Sequence, residues 1–304
     1  KQKPNDYIRE LITQFKYTYN LSFDDVVGLD QAKQALMSSV PSDDQQSFKS
    51  ILLYGLPGVG KTFLAKSFAH ECQCTFFSLF ASDLVSKYYG EAEKLIQSLF
   101  EAAKAEEKSV VFIDEIDSLV SERQTEQFGR LKTELYFQMQ NLSQNILVIA
   151  ATNIPWTIDY RFLRCFQLKI HIPLSDSIQR LLIAVKNLKE KKNNISPQQL
   201  ETLANQTEGY TASDVVVVIK DAAFQPIREL QQATHFKINA QGLYAMSDQN
   251  NPCSIRCNLM EIQPELLDIP VMTFKHIMTS LQRVKKSVTQ NDIDKIQSFR
   301  MKYE

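Results

Sequence analysis

Long apolar runs are missing from this 304-residue sequence. None approaches the roughly 20 residues a helix needs to cross a bilayer. The longest, around Val110 and Ile146, are of strand length. No signal-peptide pattern is visible. An excess of one charge is also missing. Lys plus Arg number 34 against 35 for Asp plus Glu, a net charge of -1, and that balance argues against a nucleic-acid partner, which would call for a basic surplus. Metal-ligand spacing is absent from the five cysteines: Cys72 and Cys74 flank one residue, Cys253 and Cys257 flank three, and Cys165 stands alone. No histidine sits at a ligand-like offset from either pair, so a structural zinc is not expected. An odd number of cysteines suits reduced thiols in the cytosol. Repeats and low-complexity segments are absent too.

What is present is an alternation of short apolar runs with amphipathic segments. Ser50–Tyr54, Thr75–Phe80, Val110–Ile113, Ile146–Ala150 and Leu168–Ile172 read as strands. The segments starting at Lys61, Glu91 and Phe128 read as helices. Strands alternating with helices imply an α/β domain with a parallel sheet covered on both faces. Beyond Pro173 the pattern turns helical, over Asp176–Lys192, Ser196–Gln206 and Ser213–Ala233. Ser213 and Asp214 look like the cap of the last of these, and Pro226 should kink or interrupt it. His235–Val271 carries three prolines and reads as irregular chain with short strands. Thr273 caps a further helix, and Asn291 opens a final one. Lys1–Asn20 reads as a helix with an apolar stripe or the end of a linker.

Three motifs close three of the expected strands. After Ser50–Tyr54 come Gly55, Leu56, Pro57, Gly58, Val59, Gly60, Lys61 and Thr62, matching G-x-x-x-x-G-K-[ST] between strand and helix. Glycines there let backbone N–H groups turn toward phosphate oxygens, and the following helix offers its N-terminus to the same charge. Lys61 suits the β- and γ-phosphates of ATP, and Thr62 suits Mg²⁺. The second strand ends in Asp114 and Glu115, placed for Mg²⁺ and for an attacking water. The third ends in Thr152 and Asn153, and an Asn there can sense the γ-phosphate and the lytic water.

The three together resemble AAA ATPases, and most closely the vacuolar protein sorting-associated protein 4 family within the clade that also holds katanin and spastin. The resemblance runs from about Phe23 to Ser298. It implies a P-loop AAA+ domain over residues 23–173 and a small helical lid over 174–288. The lid would carry a β insertion at about 236–271, and a C-terminal helix would follow over 289–304. Asp25, Val27 and Gly28 resemble the adenine-pocket segment, with Phe63 just past the P-loop, and Ala150–Trp156 resembles the sensor stretch. Ser82–Glu91 resembles a first pore loop, in which Lys87, Tyr88 and Tyr89 would grip a substrate chain. Ala233–Lys237, Pro252–Ser254, Pro270–Val271 and Asn291–Phe299 point to the ESCRT-disassembling member. For that member the resemblance implies a nucleotide-dependent homo-hexamer, ESCRT-III proteins as substrates, and an activator on the β insertion. It also implies a cytoplasmic location with indirect recruitment to endosomal membranes. Residues 1–22 would be the tail of a linker; the family's N-terminal microtubule-interacting-and-transport domain is not in this sequence.

Some positions depart from the family pattern. The family places paired arginines before a phenylalanine as fingers into the neighbouring subunit's ATP. Here Arg164 fits the first, but Cys165 takes the place of the second, with Arg161 as a candidate to compensate. Leu56 replaces a usual proline. The stretch Val40–Lys49 is short, and Gly129 stands where the second pore loop, around Arg123–Arg130, commonly has a basic residue. Two rival readings stand beside ESCRT-III disassembly: a microtubule-severing enzyme of the same clade, and a scaffold that binds ATP with little turnover. Glu115 argues against the second.

Overall fold

Five of the largely apolar runs form one sheet, in which Ser50–Tyr54 and Ile146–Thr152 have no face left to offer water. In the computed structural model, which describes residues 15–17, 21–40, 49–86, 92–121, 129–189 and 191–303, these strands are β2 (Ser50–Tyr54), β3 (Thr75–Phe80), β4 (Ser109–Asp114), β5 (Ile146–Thr152) and β6 (Leu168–His171). All residues of β2 and β5 are buried, as expected for parallel strands covered on both sides. Neighbours pair in parallel: Ile51 opposite Ile149, Leu53 opposite Ile170, Val111 opposite Val148, and Phe77 opposite Val111. A two-residue strand β1 (Lys16–Tyr17) joins the outer edge antiparallel to β3. The order across the sheet is β1-β3-β4-β5-β2-β6. Chain order thus reverses around β2, which puts the C-terminal ends of β2, β5 and β4 side by side at a switch point where ligands of open α/β sheets sit.

The chain divides into two compact units, one of residues 1–174 and 288–304, the other of 175–287. Helices of the first include α1 (Asp30–Met37), α2 (Lys61–Glu71), α3 (Ala81–Ser86), α4 (Ala92–Ala105), α5 (Asp117–Val120), α6 (Gly129–Gln140) and α7 (Tyr160–Cys165). On α4, buried Leu95, Ile96, Leu99, Phe100 and Ala103 follow the helical period that faces a sheet. The second unit holds α8 (Ser177–Leu188), α9 (Pro197–Gln206), α10 (Ala212–Gln232), α11 (Phe274–Arg283) and a three-stranded antiparallel sheet of β7 (His235–Ile238), β8 (Tyr244–Met246) and β9 (Ile255–Arg256). Phe236, fully buried with Leu230 and Ile262, is the centre of that small sheet's own core.

Four local readings of the sequence are corrected. Lys16 and Tyr17 are strand, because two ladder positions and the Lys16–Glu106 ion pair at 2.7 Å tie them to the open edge of β3. Helix α10 is capped by Thr211, whose Oγ1 accepts from the Asp214 N–H at 3.2 Å while the Asp214 carboxylate accepts from the Thr211 N–H at 2.9 Å. Ser213 and Asp214 therefore lie in the first turn. The same helix runs through Pro226 to Gln232. Val215, Val218, Ile219, Ala222, Pro226 and Leu230 form one buried stripe, and that burial outweighs the lost backbone hydrogen bond and the strand preference of the valines. Finally, α12 (Gln290–Tyr303) groups with the first unit instead of standing apart. Its Ile296 and Phe299 are buried in the core of that unit. Phe299 meets the Tyr54 ring edge-on at 5.1 Å between centroids and lies 4.6 Å from Tyr303.

Tyr54 is the last residue of β2, so α12 braces the strand that carries the glycine loop. Phe299→Ala is expected to destabilise the first unit by about 3–5 kcal/mol, the usual cost of an aromatic deleted from a packed core, and to lower its midpoint in chemical denaturation. An unchanged midpoint would show that α12 adds nothing to that unit.

Candidate nucleotide site

A buried ammonium organises the end of the sheet. Gly55 follows β2, and a Cβ added there would meet the Ile172 carbonyl oxygen at 2.3 Å, so only glycine fits. Gly60 has φ 103°, a conformation that glycine adopts without strain, and Lys61 then starts α2. This turn folds the Lys61 side chain back under the loop. Its Nζ donates to Gly55 O at 2.9 Å, Leu56 O at 2.7 Å and Asn153 Oδ1 at 2.6 Å. All three acceptors are neutral. Burial lowers the Lys61 pKa to about 8, against smaller opposing effects of Asp114 and Asp117.

Around this cation stand the residues that end the neighbouring strands. Thr62 Oγ1 donates to Asp114 Oδ2 at 2.7 Å. Asp114 Oδ1 accepts from the Glu115 N–H at 3.0 Å. Glu115 is exposed and has φ 51°. A residue with a side chain pays for that left-handed conformation, and such strain persists where surrounding structure enforces it. Here the enforcement comes from Ile116, whose N–H donates to Ala151 O at 3.1 Å, so the chain turns sharply and the Glu115 carboxylate is left in solvent. Asp117 belongs to the same cluster and was not picked out from the sequence. It is partly buried and accepts from Thr152 Oγ1 at 2.5 Å. Burial pushes its carboxyl pKa up, opposed by that hydrogen bond. The signal available was spacing: Asp114 and Asp117 flank the turn on which Glu115 sits.

The other expected site residues fall at different distances from this centre. Leu56 and Val59 are buried, Pro57 is exposed, and Gly58 has φ 74°. Phe63 is 38 % exposed. Asp25 closes a short turn, its carboxylate accepting from the Ser22 N–H at 3.0 Å, and Gly28 and Leu29 both have positive φ (66° and 59°). That segment, with Val27, is held to α2 by Phe23, whose ring lies 6.4 Å from that of Phe68. Lys87, Tyr88 and Tyr89 lie outside the described residues, as do 41–48 of the Val40–Lys49 stretch and 123–128 of the second pore loop.

Arg164 is not part of the cluster. Ser50, the first residue of β2, donates through Oγ to Cys165 O at 2.6 Å, so Arg164 stands beside the N-terminal end of the strand whose C-terminal end leads to Lys61. Four steps of about 3.3 Å make roughly 13 Å between those ends. Arg164 is exposed, with its guanidinium 5.8 Å from the centre of the Tyr160 ring. Arg161 is engaged by Asp159, Nε to Oδ1 at 3.2 Å and Nη2 to Oδ2 at 2.8 Å.

This arrangement fits a nucleoside triphosphate with Mg²⁺. A desolvated ammonium whose direct hydrogen-bond partners are all neutral has no anion in contact, and phosphate oxygens would supply one. Thr62 and Asp114 form a pair of hard oxygen donors suited to Mg²⁺, next to the amino end of α2. Comparison with known proteins agrees. The family model for the ATPase family associated with various cellular activities (AAA) matches residues 51–174, that for the AAA+ lid domain matches 198–238, and that for the Vps4 C terminal oligomerisation domain matches 245–303. Vacuolar protein sorting-associated protein 4 of Dictyostelium discoideum is 39% identical over 323 residues, spanning 98% of this chain and 72% of its own length. The chain belongs to the vacuolar protein sorting-associated protein 4 family. It is an AAA ATP hydrolase. Spastin of Ixodes scapularis is 38% identical over 289 residues, which are 90% of this chain and 40% of that protein. The crystal structure of the FIGL-1 AAA domain in complex with ADP superposes with a TM-score of 0.83 at 29% identity, covering 99% of this chain and 98% of that one.

The pH dependence follows from Lys61. Its pKa in the folded chain, about 8, lies below the ordinary 10.5. Between those values the unfolded state binds more protons, so stability of the nucleotide-free chain should rise with pH across that window. A lysine that holds phosphate does so as the ammonium, so with Lys61 at the anion site affinity should be greatest below about pH 8 and weaken by about tenfold per unit above it. Titration with a fluorescent ATP analogue between about pH 7 and pH 9 measures this, and Lys61→Ala should bind weakly with no such slope. A parent profile as flat as the variant's would remove Lys61 from the anion site.

Proposed function

We propose that this chain couples ATP hydrolysis to the disassembly of ESCRT-III filaments, as a nucleotide-dependent ring, most economically a hexamer, that draws substrate subunits through its pore. The observation that carries the reading is the separation of Arg164 from Lys61. An exposed arginine a strand length from its own nucleotide site cannot serve that site, yet it is well placed to enter the site of a neighbouring copy. Turnover then depends on assembly. The match of residues 245–303 to an oligomerisation domain supports this.

Each residue in the cluster has a distinct part. Lys61 and the amides of Gly55–Gly60 bind and orient the phosphates. Thr62 and Asp114 would hold Mg²⁺, which when bound neutralises charge on the phosphate oxygens. Glu115, held at the strand end by its left-handed turn, orients and polarises the attacking water. Asn153, bonded to Lys61 at 2.6 Å, is placed to sense the terminal phosphate. Arg164 of the adjacent copy stabilises charge that develops during transfer, an effect worth about 10³ to 10⁵ in rate where such fingers act. Asp25, Val27 and Gly28 are assigned to the adenine, and Lys87, Tyr88 and Tyr89 to the substrate chain.

The small three-stranded sheet, with Ile238 and Ile255 about half exposed, is the candidate activator surface. The reading includes recruitment to endosomal membranes by other proteins from the cytoplasm; among the described residues no helix is long and apolar enough to cross a membrane. The similarity to spastin supports a second reading, severing of microtubules by the same chemistry.

ATPase rate per chain should rise steeply with protein concentration, and Glu115→Gln should lower it by about 10² or more while leaving ATP bound. Release of subunits from sedimented ESCRT-III filaments in the presence of ATP separates the two readings. Shortening of microtubules without release from filaments would favour severing, and a concentration-independent rate would remove the need for a ring.

A further inference from the structure

The place of the family's second arginine is held by Cys165, and the structure shows what that side chain does instead. Cys165 is 9% exposed. Its Sγ lies 3.4 Å from Arg161 O and 3.5 Å from Gln140 Nε2. It therefore packs inward and offers no charge. One edge of the Arg161 guanidinium, Nε and Nη2, is engaged by Asp159.

A different cation shares the surface with Arg164. A polar hollow of about 370 Å³ is lined by Lys49 and Arg164, with Gln140, Gln167, Ser50 and Cys165 among the other walls. Its two charged lining residues are both basic, and no carboxylate lines it. The backbone of Lys49 is fixed from two sides: its N–H donates to Gln167 Oε1 at 2.6 Å, and its carbonyl accepts from the Val148 N–H at 2.9 Å. Neither cation has an acidic partner among the described residues. Two basic residues lining a polar hollow without an acid describe a site for a polyanion. Their own chain's P-loop lies at the far end of β2, a strand length of about 13 Å away, so the polyanion would come from another molecule.

We propose that Lys49 is the second trans-acting cation of this ATPase, reaching with Arg164 toward the terminal phosphates of the nucleotide held by the next copy. The proposal rests on Arg164 acting between copies. Lysine acts here as a point charge where arginine would act as a fork, so the two positions divide the work unequally.

Mixed assemblies test this. Lys49→Ala and Lys49→Gln are expected to keep ATP affinity, measured with a fluorescent analogue, and to lose turnover by about tenfold or more; Lys49→Arg should retain it. Glu115→Gln copies cannot hydrolyse ATP, but they carry intact Lys49 and Arg164. Adding them should raise the rate of Lys49→Ala, as it should that of Arg164→Ala. Wild-type turnover in both Lys49→Ala and Lys49→Gln overturns the proposal. So does a loss that Glu115→Gln copies fail to recover while they recover Arg164→Ala. Recovery of neither variant overturns the trans reading itself, and the role of Lys49 with it.

Discussion

An ammonium group taken out of water and given only neutral oxygens is the constraint around which the site is built. Lys61 is 6% exposed, and its three acceptors come from the two turns that follow β2 and β5. Burying a charge with no anion in direct contact is costly, and the nearby Asp114 and Asp117 offset only part of that cost. The fold accepts the cost because the acceptors are backbone carbonyls and a side-chain amide held rigidly by parallel strands. That leaves the cation short of an anion, which is the property a phosphate site needs. The same constraint explains why β2 is wholly buried and flanked on both sides by β5 and β6. A strand that moved would change the distance between Gly55 and Asn153 and leave the ammonium unsatisfied.

The acidic side of the site follows a similar logic. Asp114, Glu115 and Asp117 lie within four residues, yet their environments differ. Asp114 is bonded to Thr62, Glu115 stands in solvent on a strained turn, and Asp117 is drawn inward to Thr152. Separation of roles among neighbouring carboxylates therefore comes from backbone geometry and burial. Thr152 and Asn153 extend from one strand end to both sides of the cluster, one to the acid and one to the base, so the end of β5 links the two halves of the site.

The proposed ring would put half of each active site at the opposite end of the strands. The strand that carries the P-loop at one end touches Cys165 at the other through Ser50. A parallel sheet with one buried central strand is stiff along that direction, which gives a physical basis for holding the two half-sites at a fixed spacing. Helix α12 adds to it by packing Phe299 on Tyr54, although it is separated in sequence from β2 by the whole second unit.

Much of this was legible in the residues. The all-apolar strands, the glycine loop and the polar pairs at the strand ends are local patterns, and each is governed by local rules of burial and backbone conformation. They determined the α/β class, the strands and Lys61, Thr62, Asp114, Glu115 and Asn153. The strand at Lys16–Tyr17 was not legible, since two residues become strand only when an open edge is available. The helix at α10 was legible, but not that Pro226 would leave it uninterrupted, where packing outweighed propensity. Asp117 acquired its place through Thr152, 35 residues away, and α12 through an aromatic contact across the chain. Lys49 met Arg164 only because β2 and β6 are neighbours in space. Sequence by itself specified which side chains carry charge and where strands end; the sheet order decided which of those charges face one another, because pairing between distant strands depends on packing that no local pattern records.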